Sequence, residues 1–371
     1  MYFFSANDDI SHSSFEWAIS YMTSECDSKA IVDKIKKNIK GPIFGCSSAY
    51  GVFTPIGFKR GAYFLAANKE DNIKVYPVIK MCMEKTAFNC AKIASREIKE
   101  KFGTPDLILI HATPGFEEKI LDGIIDIFGN NIPICGGSAS DDDSNNRCFI
   151  FKDALKLREG LLFVGIKCDN VYNNFISKYA STNFTGVITK ANSRTIYEID
   201  NKPAAIVYNE WSKGLINKYI NTGGIIFHST TLYPLGRLMG EEDKNKIFLL
   251  SHPYMVIPGN NGITFFTEFK EGDRIWLLYE NKDALIDNVK FVAQDALTDR
   301  SYNAIKGTIL IYCKGLLNIN KDRAEHIVEN YKSIIKNNNF IGITSTGEQG
   351  FFKGNINKSF HGNLMINTII F

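Results

Sequence analysis

Two short turns in this chain combine residue types that can hold a ligand: Gly45-Cys46-Ser47-Ser48 and Gly136-Gly137-Ser138-Ala139. Each follows an apolar run. Glycine admits close backbone approach and positive φ, while serine hydroxyls and free backbone N–H groups offer donors to an anion or a carboxylate. Ordinary tight turns share this composition, so local chemistry alone leaves both readings open. Residues 342–347 have the glycine spacing of a phosphate loop, but Glu348 stands where a lysine is required and would repel phosphate. From Asp141 to Asn146 oxygen ligands alternate like the opening of a calcium loop. Asn146 holds the sixth place, where glycine is needed, and Lys152 that of the bidentate glutamate, so a solvated turn is the better account. The six histidines show no metal spacing. His111 directly follows the apolar residues 107–110, at the strand end where sheets with parallel strands bind ligands, and a hydrogen-bonded structural role is its default reading. No G-x-S-x-G elbow, no H-E-x-x-H and no G-x-G-x-x-G after a strand occurs, and a non-catalytic protein is expected.

These turns need strands and helices to place them. Apolar runs at 42–46, 61–67, 74–79, 106–110 and 132–135 predict strands, and residues 85–102 and 116–128 predict helices stopped by Gly103, Pro105 and Gly129. Strand, helix and strand from 106 to 135 form a βαβ unit, which requires a parallel pair. Closely spaced strands at 148–151, 160–166, 174–179, 186–189 and 195–199 predict antiparallel hairpins. Beyond residue 203 come a helix at 203–219, a loop-rich stretch at 223–242, strands at 246–257, 263–266 and 273–279, and a helix at 283–297. A strand at 306–313, a helix at 320–336 and three short strands close the chain. The expected fold class is α/β of mixed α+β character. Two fused modules, residues 1–202 and 203–371, would carry mixed, largely antiparallel sheets flanked by helices as a layered sandwich.

At 371 residues the chain exceeds what one hydrophobic core normally serves. Lys+Arg 43 against Asp+Glu 40 leaves a net charge of +3, too small for a broad basic face. The densest basic cluster, Lys34, Lys36, Lys37 and Lys40, lies opposite Ile31, Ile35 and Ile39 on one amphipathic helix and reads as a solvated face, so no nucleic-acid partner is expected. Eight scattered cysteines without a C-x-x-C pair predict reduced thiols. The N-terminus has Asp8 and Asp9 and no basic region, and no apolar run approaches a membrane span, so a cytoplasmic protein without membrane insertion is expected.

Read together, several segments resemble the FIST family of sensory modules, found in bacterial signalling proteins and in some eukaryotic F-box proteins. They are the two glycine turns, the run from Gly160 to Gly165, the stretch from Gly186 through Ile196 and Asp200 to Tyr208, and Tyr233 to Gly236. Glu271 to Asp273, Tyr312-Cys313, Gly342 with Thr346-Gly347-Glu348, and Phe360-His361 with Asn367-Thr368 complete the match. The resemblance spans roughly residues 30–371 and implies an N-terminal and a C-terminal module that bind a small, amino-acid-like molecule. It also implies signalling through a separate partner such as a histidine kinase, a cyclase-type enzyme or a chemoreceptor. The family commonly carries Gly-Arg after the cysteine, whereas here Cys313-Lys314-Gly315 precedes Leu316, so Lys314 would take the arginine's part as a point charge. The site expected on these grounds joins Gly45, Cys46, Ser47, Gly136, Gly137, Ser138, Cys313, Lys314 and Glu348. Glu348 would accept an ammonium, and Ser47, Ser138 and Lys314 would hold a carboxylate. Three alternatives follow: a haem-based gas sensor with His111 or His228 as ligand, an enzyme with Cys313 or Cys46 as nucleophile and His361 as base, and a protein-interaction scaffold with an exposed apolar patch.

Overall fold

The strand Leu107–Ala112 is apolar throughout because both of its faces are covered. Leu107 and Leu109 join one core, while Ile108, Ile110 and Ala112 join another under the helices Ala87–Lys101 and Glu117–Phe128. The strand Trp17–Thr23 divides likewise, with Ile19 and Tyr21 in the first core and Ala18 and Met22 in an outer layer. In Thr308–Cys313, Ile309 and Ile311 enter that first core and Leu310 and Tyr312 turn outward. Three sheets thus share one central core and carry their helices outside. This is seen in the computed structural model, which describes residues 1–143, 145–242, 245–298, 305–353 and 356–371.

Each of the three sheets has six strands in the same order. An outer strand pairs with an antiparallel one, which pairs with the first member of a parallel pair, and a hairpin flanks the second member. The parallel pairs are Trp17–Thr23 with Ile43–Ser48, Leu107–Ala112 with Ile134–Gly137, and Thr308–Cys313 with Phe340–Ser345. Every hairpin comes from a different unit of the chain than the pair it flanks. The hairpin Val52–Thr54 and Gly57–Lys59 joins Phe340–Ser345, Ile150–Lys152 and Leu155–Leu157 join Ile43–Ser48, and Glu348–Phe352 and Lys358–Gly362 join Ile134–Gly137. The exchange runs round a closed ring of three units.

Into the third unit, between the strand Tyr172–Ile176 and the helix Lys282–Ala296, the chain inserts a separate nine-stranded antiparallel sheet built from residues 180–279. It has its own core around Ile188, Ile196, Tyr208, Ile263 and Leu277. The mixed α/β class and the βαβ unit are as expected, and the layering takes the form of three sheets about a shared core.

Several expected elements differ in extent. The helix at 203–219 is only Ala204–Trp211, because Lys213 and Gly214 adopt positive φ and end it. The amphipathic helix that carries the basic cluster stops at Ile35 and tightens into a single 3-10 turn, Lys36–Asn38. The stretch at 246–257 is two strands, Asn245–Ser251 and Pro253–Val256, interrupted at His252. Leu235–Glu242 is a strand inside what reads as loop, and Tyr2–Ser5, Trp17–Thr23 and the short helix Lys314–Ile319 carry no turn signals that announce them.

Strand spacing in the parallel pairs depends on glycine. A Cβ on Gly136 would overlap the Ile110 carbonyl, and one on Gly45 the Ser20 carbonyl. Gly136→Ala is expected to lower unfolding free energy by about 3 kcal/mol, whereas Gly240→Ala, with nothing near its side-chain position, should change it by no more than about 0.5 kcal/mol. Urea denaturation of the two variants checks this; equal midpoints would refute the packing account.

Candidate ligand site

The two glycine motifs are not turns: Gly45 to Ser48 end the strand Ile43–Ser48 and Gly136-Gly137 end the strand Ile134–Gly137, and most of their polar groups are engaged inside the protein. The Ser47 hydroxyl donates to the Ser140 carbonyl (2.9 Å) and accepts from the Phe149 N–H (2.9 Å). The Ser138 hydroxyl donates to Glu117 (2.7 Å). Gly137 packs its bare face against Ile311 and Ser345, and Cys46 sits in the central core, where burial pushes its thiol well above the usual range. His111 is also central, with Nδ1 2.8 Å from the Gly137 carbonyl and Nε2 3.1 Å from the Tyr21 hydroxyl, and burial lowers its pKa to about 4. With both ring nitrogens engaged, His111 does not fit the role of haem ligand. Gly45, Cys46, Ser47, Gly136, Gly137 and Ser138 therefore shape the strand tips, and none of them lines the cavity beyond.

That cavity, of about 650 Å³, opens between the three-unit body and the inserted sheet. The body contributes Tyr50, Pro114, the turn Ala139 to Asp143, Cys313-Lys314-Gly315, Ser345 and Thr346, all at or just past the C-terminal ends of parallel strands. The insert contributes Ile225, Phe227, His228, His252, Tyr254 and Phe266. Cys313 and Lys314 thus reach the site together. Lys314 Nζ donates to the Asp141 carbonyl (2.7 Å) and lies 5.6 Å from the Tyr50 ring centre, and Leu316 turns into the core. Glu348 is one layer behind, accepting from Ser345 Oγ (2.7 Å) and the Met365 N–H (3.2 Å). Burial pushes its carboxyl up to about 8, against those hydrogen bonds. Cys313 Sγ accepts from the Gly315 and Leu364 N–H groups (both 3.3 Å), and burial, reinforced by Glu348, holds the thiol well above its usual range.

The acidic turn is held in place by several partners. Asp142 accepts from the Tyr50 N–H (2.6 Å) and pairs with Arg60, Asp141 accepts from the Arg147 N–H (2.7 Å), and Asp143 pairs with Arg147. Ser144, which also falls in the calcium-like stretch, lies outside the described residues.

The chain matches the FIST N domain over residues 17–202 and the FIST C domain over residues 204–351. It belongs to the FIST family. FIST domains are sensory domains, and the family implies a signalling role. An uncharacterized protein of Methanocaldococcus jannaschii is 26% identical over 285 residues, which cover 67% of this chain and 51% of that protein, so the FIST chain spans about half the length of this curated relative. A solved structure described as cyanuric acid hydrolase covers 96% of the chain and 90% of its own, at 6% identity and a TM-score of 0.37. No described helix is long and apolar enough to cross a membrane.

Sequence reasoning did not find the ionic cluster that ties the inserted sheet to the body. Arg194, on the turn between two insert strands, bonds Glu117 (2.8 Å) and Glu118 (2.6 Å) at the start of the helix Glu117–Phe128. His361 Nδ1 bonds Glu118 (2.9 Å), and the Glu268 N–H donates to the same carboxylate (3.0 Å). Burial alone would raise both glutamates and lower His361, but His361 and Arg194 hold the carboxylates below their ordinary range, and the two carboxylates, against Arg194, hold the imidazole above its own. The guanidinium occupies the place a metal would take between these acids. Residues 361 and 118 are 243 positions apart, so no local pattern signals the pairing.

The raised Glu348 carboxyl predicts a pH dependence. Folding takes up a proton at this group between the ordinary carboxylate range and about 8, so its contribution is present below that range and lost as pH rises through about 8. His361, also raised, acts with the same sign. Urea unfolding should show stability falling from about pH 7 to 8, above the range in which the lowered His111 and His252 act with the opposite sign, and Glu348→Gln should remove much of that slope, leaving the share due to His361. An unchanged slope in the variant would show that Glu348 is not protonated in the fold.

Proposed function

We propose that this FIST chain is a sensory module that takes a small molecule in the cavity between the inserted sheet and the three-unit body. It would pass the event to a separate protein such as a histidine kinase, a cyclase-type enzyme or a chemoreceptor. The observation that carries the reading is the cavity itself. Its volume suits one small ligand, it sits outside the C-terminal ends of parallel strands, and its two walls belong to parts of the chain with separate cores. A ligand touching both walls favours one relative arrangement of the two parts, and a partner reading that arrangement reads ligand occupancy. The amino-acid-like ligand that the resemblance implies would find Lys314 at the wall for its carboxylate but no carboxylate for its ammonium in Glu348, which lies behind Ser345, so the cavity favours another class of small molecule.

A thermal-shift screen of a metabolite panel, followed by calorimetry, tests the proposal. Asn318 lines the cavity on the helix Lys314–Ile319. Asn318→Trp should fill the space, weaken any ligand at least about 100-fold and leave the unliganded melting temperature within a few degrees. A ligand that binds equally well to this variant would place sensing elsewhere.

A further inference from the structure

The cavity wall also indicates which chemical class it receives, an inference that rests on the cavity being the sensory site. His252 occupies the break between two insert strands and is almost wholly buried. Its Nε2 lies 3.0 Å from the Phe227 carbonyl oxygen, which can only accept, so Nε2 carries the hydrogen and Nδ1 presents a lone pair. No described residue donates to Nδ1. That nitrogen lies 3.5 Å from where a Gly315 Cβ would stand, and the missing side chain leaves it uncovered. Burial lowers the imidazole pKa to about 3, so the ring stays neutral across the physiological range.

Asn363 also lines the cavity, but its Oδ1, though unpartnered among the described residues, is fully enclosed by protein and out of a ligand's reach. Next to His252 is a cluster of rings. Phe227 and Tyr254 stack with centres 6.0 Å apart, Tyr254 lies 4.9 Å from Phe266, and Phe266 lies 5.8 Å from His252. Asp142 and Asp143 at the wall are paired with Arg60 and Arg147. A carboxylate at His252 Nδ1 would set acceptor against acceptor, whereas an N–H donor satisfies the lone pair.

We propose that the ligand is a flat molecule, neutral or cationic, whose edge carries N–H donors: a carboxamide, an amidine or an amino-substituted heterocycle. His252 Nδ1 receives a donor, and the Phe227, Tyr254 and Phe266 rings take the face.

Calorimetry on the full chain with matched probes tests this: nicotinamide against nicotinate, and benzamidine against benzoate. The amide and the amidine should bind at least about 10-fold more tightly than their carboxylates, and His252→Phe, which keeps a ring and removes the acceptor, should cut that preference about 10-fold. A nitrogen NMR signal of His252 Nδ1 that shifts on nicotinamide addition in the unmutated protein supplies a readout that does not depend on a variant folding. If the carboxylates bind as well or better and lose binding in Asn318→Trp, the donor assignment is overturned while the cavity reading stands. If no probe of either kind binds, the donor assignment is likewise overturned, and the metabolite panel decides the cavity reading separately.

Discussion

Closure of sheet edges is the constraint on which the rest of the structure depends. The second strand of each parallel pair, Ile43–Ser48, Ile134–Gly137 or Phe340–Ser345, would otherwise present a row of unpaired backbone groups. Each is covered by a hairpin from another unit, and because the exchange is cyclic no unit can complete its sheet alone. The interior faces then meet in one shared core where Tyr21, His111 and Ile311 occupy equivalent strand positions. Such long-range pairing must form late and together, since each unit's edge waits on residues from elsewhere in the chain.

The same ring brings strand tips from all three units to one end of the body. Parallel strands of a unit run in one direction, so their C-terminal turns gather there, and the inserted sheet, tethered only through residues 176–180 and 279–282, covers them. The small residues at the strand ends allow this crowding. Gly136 and Gly45 let neighbouring carbonyls approach, and Ser47 and Ser138 tie adjacent segments. Their chemistry is spent on assembly, and the groups that face the cavity come from the next positions along the chain and from the insert.

Charge decides how the two parts meet. Arg194 reaches from the insert to two glutamates of the body, and His361 adds a second cation, so each buried carboxylate has partners and the desolvation cost is offset at the contact. Glu348 has no such cation within bonding distance among the described residues and keeps its proton instead. Two buried acidic sites therefore reach opposite protonation states from their surroundings alone.

The amino-acid sequence by itself determined most of the element types, the βαβ order and the mixed α/β class. Those follow from local periodicity and from glycine and proline, which act over a few residues. It also pointed, through a family pattern, to Cys313 and Lys314, which line the cavity. Only the tertiary structure decided which motifs face a cavity and which are used up in packing, because Ser47, Ser138 and Glu348 find their partners through sheet pairing between distant segments. His252 carried no local signal, since a histidine at a strand break is ordinary in sequence. What sets it apart is the absence of a partner at Nδ1, and that is a property of the neighbours that folding brings, or fails to bring, beside it.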